Sequence, residues 1–305
     1  MSPKLSVILP AYNEAEGLGQ ALEQTYAVLK DIGGSFEIIV VDDGSSDHTW
    51  DVVSEYCGRW PELSGLRLSR NFGKENAICA GLDGAAGDAV ILSDADLQHP
   101  PQIIADMLEK WRQGFQVVEA VKRRRVKENW LTRTAARCFY ALLSFLTDFD
   151  LRGASDFKLL DRAVIDAWKA MGERNVFFRG MAAWVGFRRT QVEFDVAPRT
   201  TGQSKWSRLQ LIGLALKAIT AFSTAPLRIV TLLGAGFLVF SLLLAAHTLY
   251  MYFSGQAVTG FSTVILLILL TSSIVMLALG IIGEYIARIY EEVKQRPRYI
   301  VAERR

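Results

Sequence analysis

Short apolar runs alternate with amphipathic stretches through the first half of the chain. Residues 4–10 (KLSVILP), 36–41 (FEIIVV), 65–68 (GLRL) and 89–92 (AVIL) are short and mostly apolar, the last at every position, the pattern of strands buried on both faces. Between them, 16–29, 49–56 and 75–86 carry apolar residues at helical spacing. Strand, helix, strand, helix at this spacing predicts a mostly parallel sheet covered on both sides. A helix at 103–113, a strand at 116–121 and a strand running into a helix at 155–161 continue the α/β theme. Two further stretches, 130–146 and 209–222, are amphipathic; the first repeats Leu131, Ala135, Phe139, Leu142 and Leu146 along one helical face.

The pattern changes after Pro226. Residues 229–253 hold no charge apart from what His247 can acquire, and 261–282 hold none. Each is long enough to cross a hydrocarbon core of ~30 Å. The connection, 254–260, is too short for a domain, so the two spans form a hairpin with both its ends on one side. Arg228 precedes the first span, Arg288, Lys294, Arg296 and Arg298 follow the second, and the connection has no Lys or Arg. By the positive-inside rule the bulk of the chain is cytoplasmic. The expected organisation is a catalytic unit over 1–208 with an interface helix near 130–146, an amphipathic interface helix at 209–226, a transmembrane hairpin at 227–290 and a basic cytoplasmic tail at 291–305.

Composition changes this picture little. Hydrophobic residues make up 50% of the chain and the mean hydropathy is +0.20, an excess that collects in the hairpin. A net charge of +2 gives no electrostatic case for nucleic acid. Cys57, Cys79 and Cys138 are odd in number and include no C-x-x-C pair; they predict buried thiols in a reducing compartment. The N-terminus runs directly into a strand, so no signal peptide is expected.

In parallel α/β sheets ligands bind beyond the carboxyl ends of the strands, and the polar clusters of this chain fall at those ends. The sharpest is Ser93-Asp94-Ala95-Asp96. Two aspartates at i and i+2, where the backbone curls off a strand, can both reach one hard cation, and Mg2+ or Mn2+ prefers such oxygens. Gln98 adds a neutral oxygen. A metal so held stabilises a diphosphate leaving group as a Lewis acid. Asp42-Asp43-Gly44-Ser45 offers a carboxylate for a nucleoside and a glycine for close approach; as a turn before a helix it also fits an ordinary N-cap. Lys74, Arg199 and Lys205 suit phosphate. Neither G-x-G-x-x-G nor G-x-x-x-x-G-K-[ST] occurs, so phosphate binding falls to metal and side chains.

AYNE after the first strand, VDDGSSD after the second, RNFGKENA, DADLQHP, SDFKLLDR, RTTGQSKW and the closing RPRYIV together resemble the inverting family 2 glycosyltransferases with a GT-A fold. More narrowly, they resemble polyprenyl-phosphate glycosyltransferases, namely bactoprenol glucosyl transferases and dolichol-phosphate mannose synthases. The resemblance covers nearly the whole chain, hairpin included. It implies that Pro10, Ala11, Tyr12, Glu14 and Asp43 hold the nucleotide, with Lys74 and Ala95 beside it. Asp94, Asp96 and Gln98 hold the metal and diphosphate, and Arg199, Ser204 and Lys205 close over the phosphates. Lys122, Arg123, Arg124 and Arg125 grip the lipid phosphate, and Asp156 takes the place usually assigned to the base. A phosphate monoester acceptor is mostly dianionic near neutral pH and already nucleophilic, so Asp156 also suits orientation of the sugar or of the basic cluster.

The expectation is an integral protein of the bacterial inner membrane that moves one hexose, glucose from UDP-glucose first, to a polyprenyl (undecaprenyl) phosphate. A homo-oligomer is compatible with the resemblance. GDP-mannose is the alternative donor, and a UDP-linked amino-arabinose or N-acetylhexosamine stays open. A processive synthase is disfavoured because Q-x-x-R-W is missing. A non-catalytic membrane adaptor of the same fold is the rival of another class, and predicts that the metal carboxylates are dispensable.

Overall fold

The computed structural model describes residues 4–95, 100–122, 156–172, 178, 184–194, 225–255 and 260–305. Eight strands form one sheet: β1 (Leu5–Ala11), β2 (Phe36–Asp42), β3 (Leu63–Leu68), β4 (Ala89–Leu92), β5 (Val117–Lys122), β6 (Lys158–Asp161), β7 (Arg189–Phe194) and β8 (Val301–Arg304), in the order β7-β5-β6-β4-β1-β2-β3-β8. Pairs β1–β2, β1–β4, β2–β3 and β5–β7 are parallel. β6 is antiparallel to both β4 and β5, and β8 is antiparallel to β3. The sheet is therefore mostly parallel with two reversed strands. The carboxyl ends of β1, β2, β3, β4, β5 and β7 share one edge with the amino ends of β6 and β8.

Alternation along each central strand feeds two cores. Val7, Leu9, Ile38, Val40 and Ile91 pack under helices α1 (Ala15–Ile32), α2 (Thr49–Arg59) and α4 (Ile103–Arg112), through Leu18, Leu22, Val53, Ile104 and Met107. Ile8, Ile39, Val41, Val90 and Leu92 face the other way, against α3 (Lys74–Gly84) and α5 (Arg162–Met171), through Ala77, Ile78, Leu82, Ile165 and Trp168. This is the three-layer arrangement expected when every central strand is apolar on both sides. Asp161 accepts from Ala163 N (2.8 Å), capping α5, and from Trp111 Nε1 (2.7 Å). The Arg162 guanidinium donates to the Ala85 and Gly87 carbonyls. The Asp-Arg pair closing SDFKLLDR is thus a structural clamp between β6, α5 and the turn before β4.

Two helices follow, α6 (Ala225–Phe253) and α7 (Phe261–Lys294). At about 1.5 Å per residue each is long enough to cross a membrane, and apolar side chains such as Leu232, Leu242, Leu243, Met276 and Leu277 are exposed on them. The second helix continues well beyond residue 282, where its apolar pattern ends. The chain then turns at Gln295 (φ 51°) and returns to the sheet as β8, which the sequence reading set aside as a basic tail. The reason is long-range pairing: Val301 lies opposite Leu68, Glu303 opposite Arg67 and Arg304 opposite Leu66. Two backbone hydrogen bonds link Gly65 and Arg305 (2.9 and 3.0 Å). Cys79 is buried and Cys57 half-buried, and both are free; burial pushes the Cys79 thiol up to about 12. The amphipathic stretches 130–146 and 209–222, and Cys138, lie outside the described residues.

Candidate active site

Loops leaving β1 and β2 are laced together by side chains. Asn13 sits at φ 54°. Its N–H donates to Ser45 Oγ (2.9 Å) and its Oδ1 accepts from Ser46 N (2.9 Å). Glu14 N donates to Thr49 Oγ1 (2.9 Å), and Asp47 accepts from Ala15 N (3.2 Å) and Thr49 N (3.0 Å). These bonds offset the burial that would otherwise raise it, and hold the Asp47 carboxyl below the usual range. Ala11 is buried at the end of β1, Pro10 and Glu14 are half-buried and Tyr12 is exposed.

Asp43 is 2% exposed. Its two oxygens accept from Phe72 N (2.7 Å) and Gly73 N (2.8 Å), which ties the β2 loop to the β3 loop. Burial, together with the neighbouring Asp42, outweighs these bonds and raises its pKa. Gly44 (φ +66°) fits because a Cβ there would lie 2.5 Å from the Arg70 carbonyl carbon. Beside it, fully buried Asp42 accepts from Ser45 N (3.0 Å) through Oδ1. Its Oδ2 has Arg67 Nε at 3.5 Å, an ion pair without a hydrogen bond.

The loop held by Asp43 delivers Lys74 as the first residue of α3. Lys74 Nζ lies 2.6 Å from Asp94 Oδ1, just past β4, and 3.1 Å from Asp156 Oδ2, just before β6. Burial alone would pull the Lys74 pKa down, but the two carboxylates outweigh it and hold it above 10.5, so the group is an ammonium at any physiological pH. One N–H of its three remains beyond these two contacts. Two carboxylates from separate motifs thus meet around the ammonium of a third, at the carboxyl edge of the sheet. Ala95 is buried beside them. Lys122 is the last residue of β5, opposite Phe194, and so stands at the same edge.

Asp96, Gln98, Arg123, Arg124, Arg125, Arg199, Ser204 and Lys205 lie outside the described residues. Among the described residues no cluster of three or more metal-ligating side chains occurs. Of the three candidate metal ligands only Asp94 lies among the described residues; its carboxylate, just past β4 and paired with the Lys74 ammonium, is an oxygen donor of the kind a hard divalent cation takes.

Two ion-pair systems escaped the sequence reading. Lys158 and Glu119, paired in register across β6 and β5, lie 2.9 Å apart and are buried, with the Phe178 ring 5.6 Å from the ammonium. Their signal was a charge inside each of two apolar strands. Glu303 on β8 accepts from Arg67 Nη1 (3.0 Å) and Trp50 Nε1 (3.0 Å), with no local signal at all.

The α/β/α sandwich gathers carboxylates and a cation at one sheet edge, and residues 6–168 match the family described as Glycosyl transferase family 2. The chain belongs to that family and is a glycosyltransferase. It is 39% identical over 308 residues to the uncharacterized glycosyltransferase sll0501 of Synechocystis sp., covering 99% of this chain and 96% of that protein. It is 36% identical over 309 residues to the prophage bactoprenol glucosyl transferase homolog of Escherichia coli, covering 98% of each. The bactoprenol glucosyl transferase of Shigella phage SfII is 36% identical over 301 residues, covering 98% of this chain and 97% of that protein. Among solved structures, residues 1–349 of S. aureus TarS, bound to UDP-GlcNAc, superpose with a TM-score of 0.50 at 19% identity, covering 72% of this chain and 66% of that one; that likeness concerns the fold.

Proposed function

We propose that the protein transfers one hexose, glucose from UDP-glucose in the first instance, to a polyprenyl phosphate at the cytoplasmic face of the bacterial inner membrane, with inversion. The observation that carries this reading is the shared edge. Lys74, Asp94 and Asp156 meet at the carboxyl ends of the strands, and the chain returning from α7 enters the sheet at that same edge, with Ile300 O accepting from Ser69 N (2.9 Å). A soluble donor and a lipid-borne acceptor both need such a place. The bactoprenol in the relatives' names supports the acceptor, and their glucosyl designation supports the sugar.

In this reading the 10–14 and 42–45 loops bind the nucleoside. Asp94, with Asp96 and Gln98, would hold Mg2+ or Mn2+ at the diphosphate, where the ion supplies Lewis-acid stabilisation of the leaving group. Lys74 holds Asp94 and Asp156 in register and leaves one N–H for a phosphate oxygen. Arg199, Ser204 and Lys205 close over the phosphates, and Lys122 to Arg125 receive the lipid phosphate. Asp156, oriented by Lys74, faces the reacting sugar. Its carboxylate orients the sugar hydroxyls or the basic cluster rather than deprotonating the acceptor, because a phosphate dianion is already a nucleophile.

Transfer of radiolabel to a lipid extract tests this. Purified protein receives undecaprenyl phosphate, Mg2+ or Mn2+, and labelled UDP-glucose or GDP-mannose in parallel, beside Asp96→Ala. Lipid-linked label from UDP-glucose, lost in the variant, is the expected result. Label from GDP-mannose alone would replace the sugar, and turnover untouched by Asp96→Ala would remove the metal role. Nucleotide binding without transfer from any donor would favour the adaptor.

A further inference from the structure

The segment that returns from α7 does more than cover a sheet edge. Glu303 lies in β8, across from Arg67 in β3, and its carboxylate takes one hydrogen bond from Arg67 Nη1 and one from Trp50 Nε1, each 3.0 Å. The same guanidinium turns its Nε toward Asp42 Oδ2, 3.5 Å away. Asp42 is fully buried, and Arg67 is the cation beside it among the described residues. A buried carboxylate is tolerated only when its charge is matched. Asp42 in turn accepts from Ser45 N, and Ser45 Oγ accepts from Asn13 N. Asp43, the next residue, fixes the amides that begin the Lys74 helix.

We infer that Glu303 is a positioning residue for the donor nucleotide: through Arg67 and Asp42 it sets the 42–45 turn, so that the segment leaving the membrane helix holds the nucleotide loop in shape. The inference rests on the reading that the donor nucleoside lies against that turn. Arg67 is shared between two carboxylates. Without Glu303 the guanidinium, 32% exposed, loses the partner that fixes its orientation, so its pairing with Asp42 loosens without being lost. Between the end of α7 and β8 there are six residues, 295–300, which span at most ~20 Å when extended. A displacement of α7 in the bilayer therefore reaches β8 with little slack, and through Glu303 it reaches the donor loop. Donor affinity is thus coupled to correct seating in the membrane.

The test uses full-length protein in lipid nanodiscs. Glu303→Gln keeps an oxygen for the Trp50 N–H but removes the charge, and β8 keeps its backbone pairing. Arg67→Met and the double variant complete a cycle. UDP and GDP binding are measured by calorimetry, followed by KM for donor and for undecaprenyl phosphate, kcat, and Tm. The expected result is a donor-nucleotide Kd and KM raised about five- to tenfold in Glu303→Gln, with kcat, lipid KM and Tm close to those of the parent. The double variant should bind nucleotide no more weakly than Arg67→Met alone. Unchanged nucleotide affinity in Glu303→Gln overturns the relay, as do single losses that simply add. A loss of affinity that comes only with lower Tm and raised lipid KM also overturns it, since it marks β8 as scaffold. If the parent binds neither UDP nor GDP, the proposed function falls, and the relay with it.

Discussion

Lys74 carries the most chemistry per atom in the described site. It holds two carboxylates that come from different strands, and both would repel each other and any incoming phosphate without it. If the proposed site is right, Lys74→Met should lower kcat/KM at least about 100-fold, as expected for loss of a preorganised charge, while the Tm falls only modestly, because at 42% side-chain exposure water screens the two carboxylates left behind. Steady-state kinetics beside a thermal melt separates the two. Gly44 is the backbone counterpart. Its φ of +66° and the 2.5 Å approach of Arg70 mean that Gly44→Ala meets both strain and a clash. A cost above about 2 kcal/mol is expected, with nucleotide binding weakened. Gly172→Ala shares the φ (+66°), sits in the ordinary left-handed region and has nothing within 4 Å, so it should cost only about 1 kcal/mol; equal melts for the two would refute the clash. At this scale motifs disclosed Asp94, Lys74 and Asp156 as candidates, because strand-end carboxylates and a lysine opening a helix are visible locally. They did not disclose that Asp43 spends both oxygens on the amides of Phe72 and Gly73. That depends on which loop lands beside it, information that no local pattern holds.

Elements were legible where their apolar period was long. β4 at 89–92 and the starts of α2 and α4 fall where the pattern puts them, because a strand apolar at every position has only the sheet interior to occupy. β8 was not legible. VAER is short, half charged and exposed along most of its length, and it becomes a strand only because β3 offers an unpaired edge. The amino edge of the sheet, away from the site, has its own fastening. Glu37 opens β2 and accepts from Ser6 Oγ (2.5 Å), Lys4 Nζ (2.9 Å) and Ala86 N (2.8 Å), joining β1, β2 and the turn before β4. Burial would raise its pKa, but the three donors outweigh it and leave the folded value below 4.5. The unfolded chain therefore binds the proton first as pH falls. The stabilisation is complete above the unfolded value near 4.5 and is lost as pH drops through the lower folded value. Glu37→Gln should cost about 1 kcal/mol at neutral pH and lose less stability than the parent on acidification below pH 4.5. Tryptophan-monitored unfolding across pH 3 to 7 checks this, and parallel pH profiles for the two proteins would refute it.

Across the whole molecule, β8 bears on whether the two chain ends share one side of the membrane. The chain leaves the sheet at β7, passes through α6 and α7, and comes back as a strand of the same sheet. If both helices span the bilayer, the sheet and the C-terminal strand must occupy one side, whichever way the pair is oriented. The side is then chosen by Arg228, Arg288, Lys294, Arg296 and Arg298 at the sheet end, against a connection at 254–260 that has no Lys or Arg. Both arguments predict that residue 256 faces out while both chain ends face in. Cysteines introduced singly as Gln256→Cys and Ser2→Cys, in a chain whose native cysteines are replaced, are exposed on intact cells to a membrane-impermeant maleimide. Labelling at 256 alone, with position 2 labelled only after lysis, is the expected outcome. Labelling at 2 on intact cells would invert the orientation and remove the donor, since nucleotide sugars are cytoplasmic. Equal labelling of both without lysis would mean that the helices do not cross. The proposed site would then lose its membrane-borne acceptor, since the sheet would no longer be tethered beside the bilayer through α7.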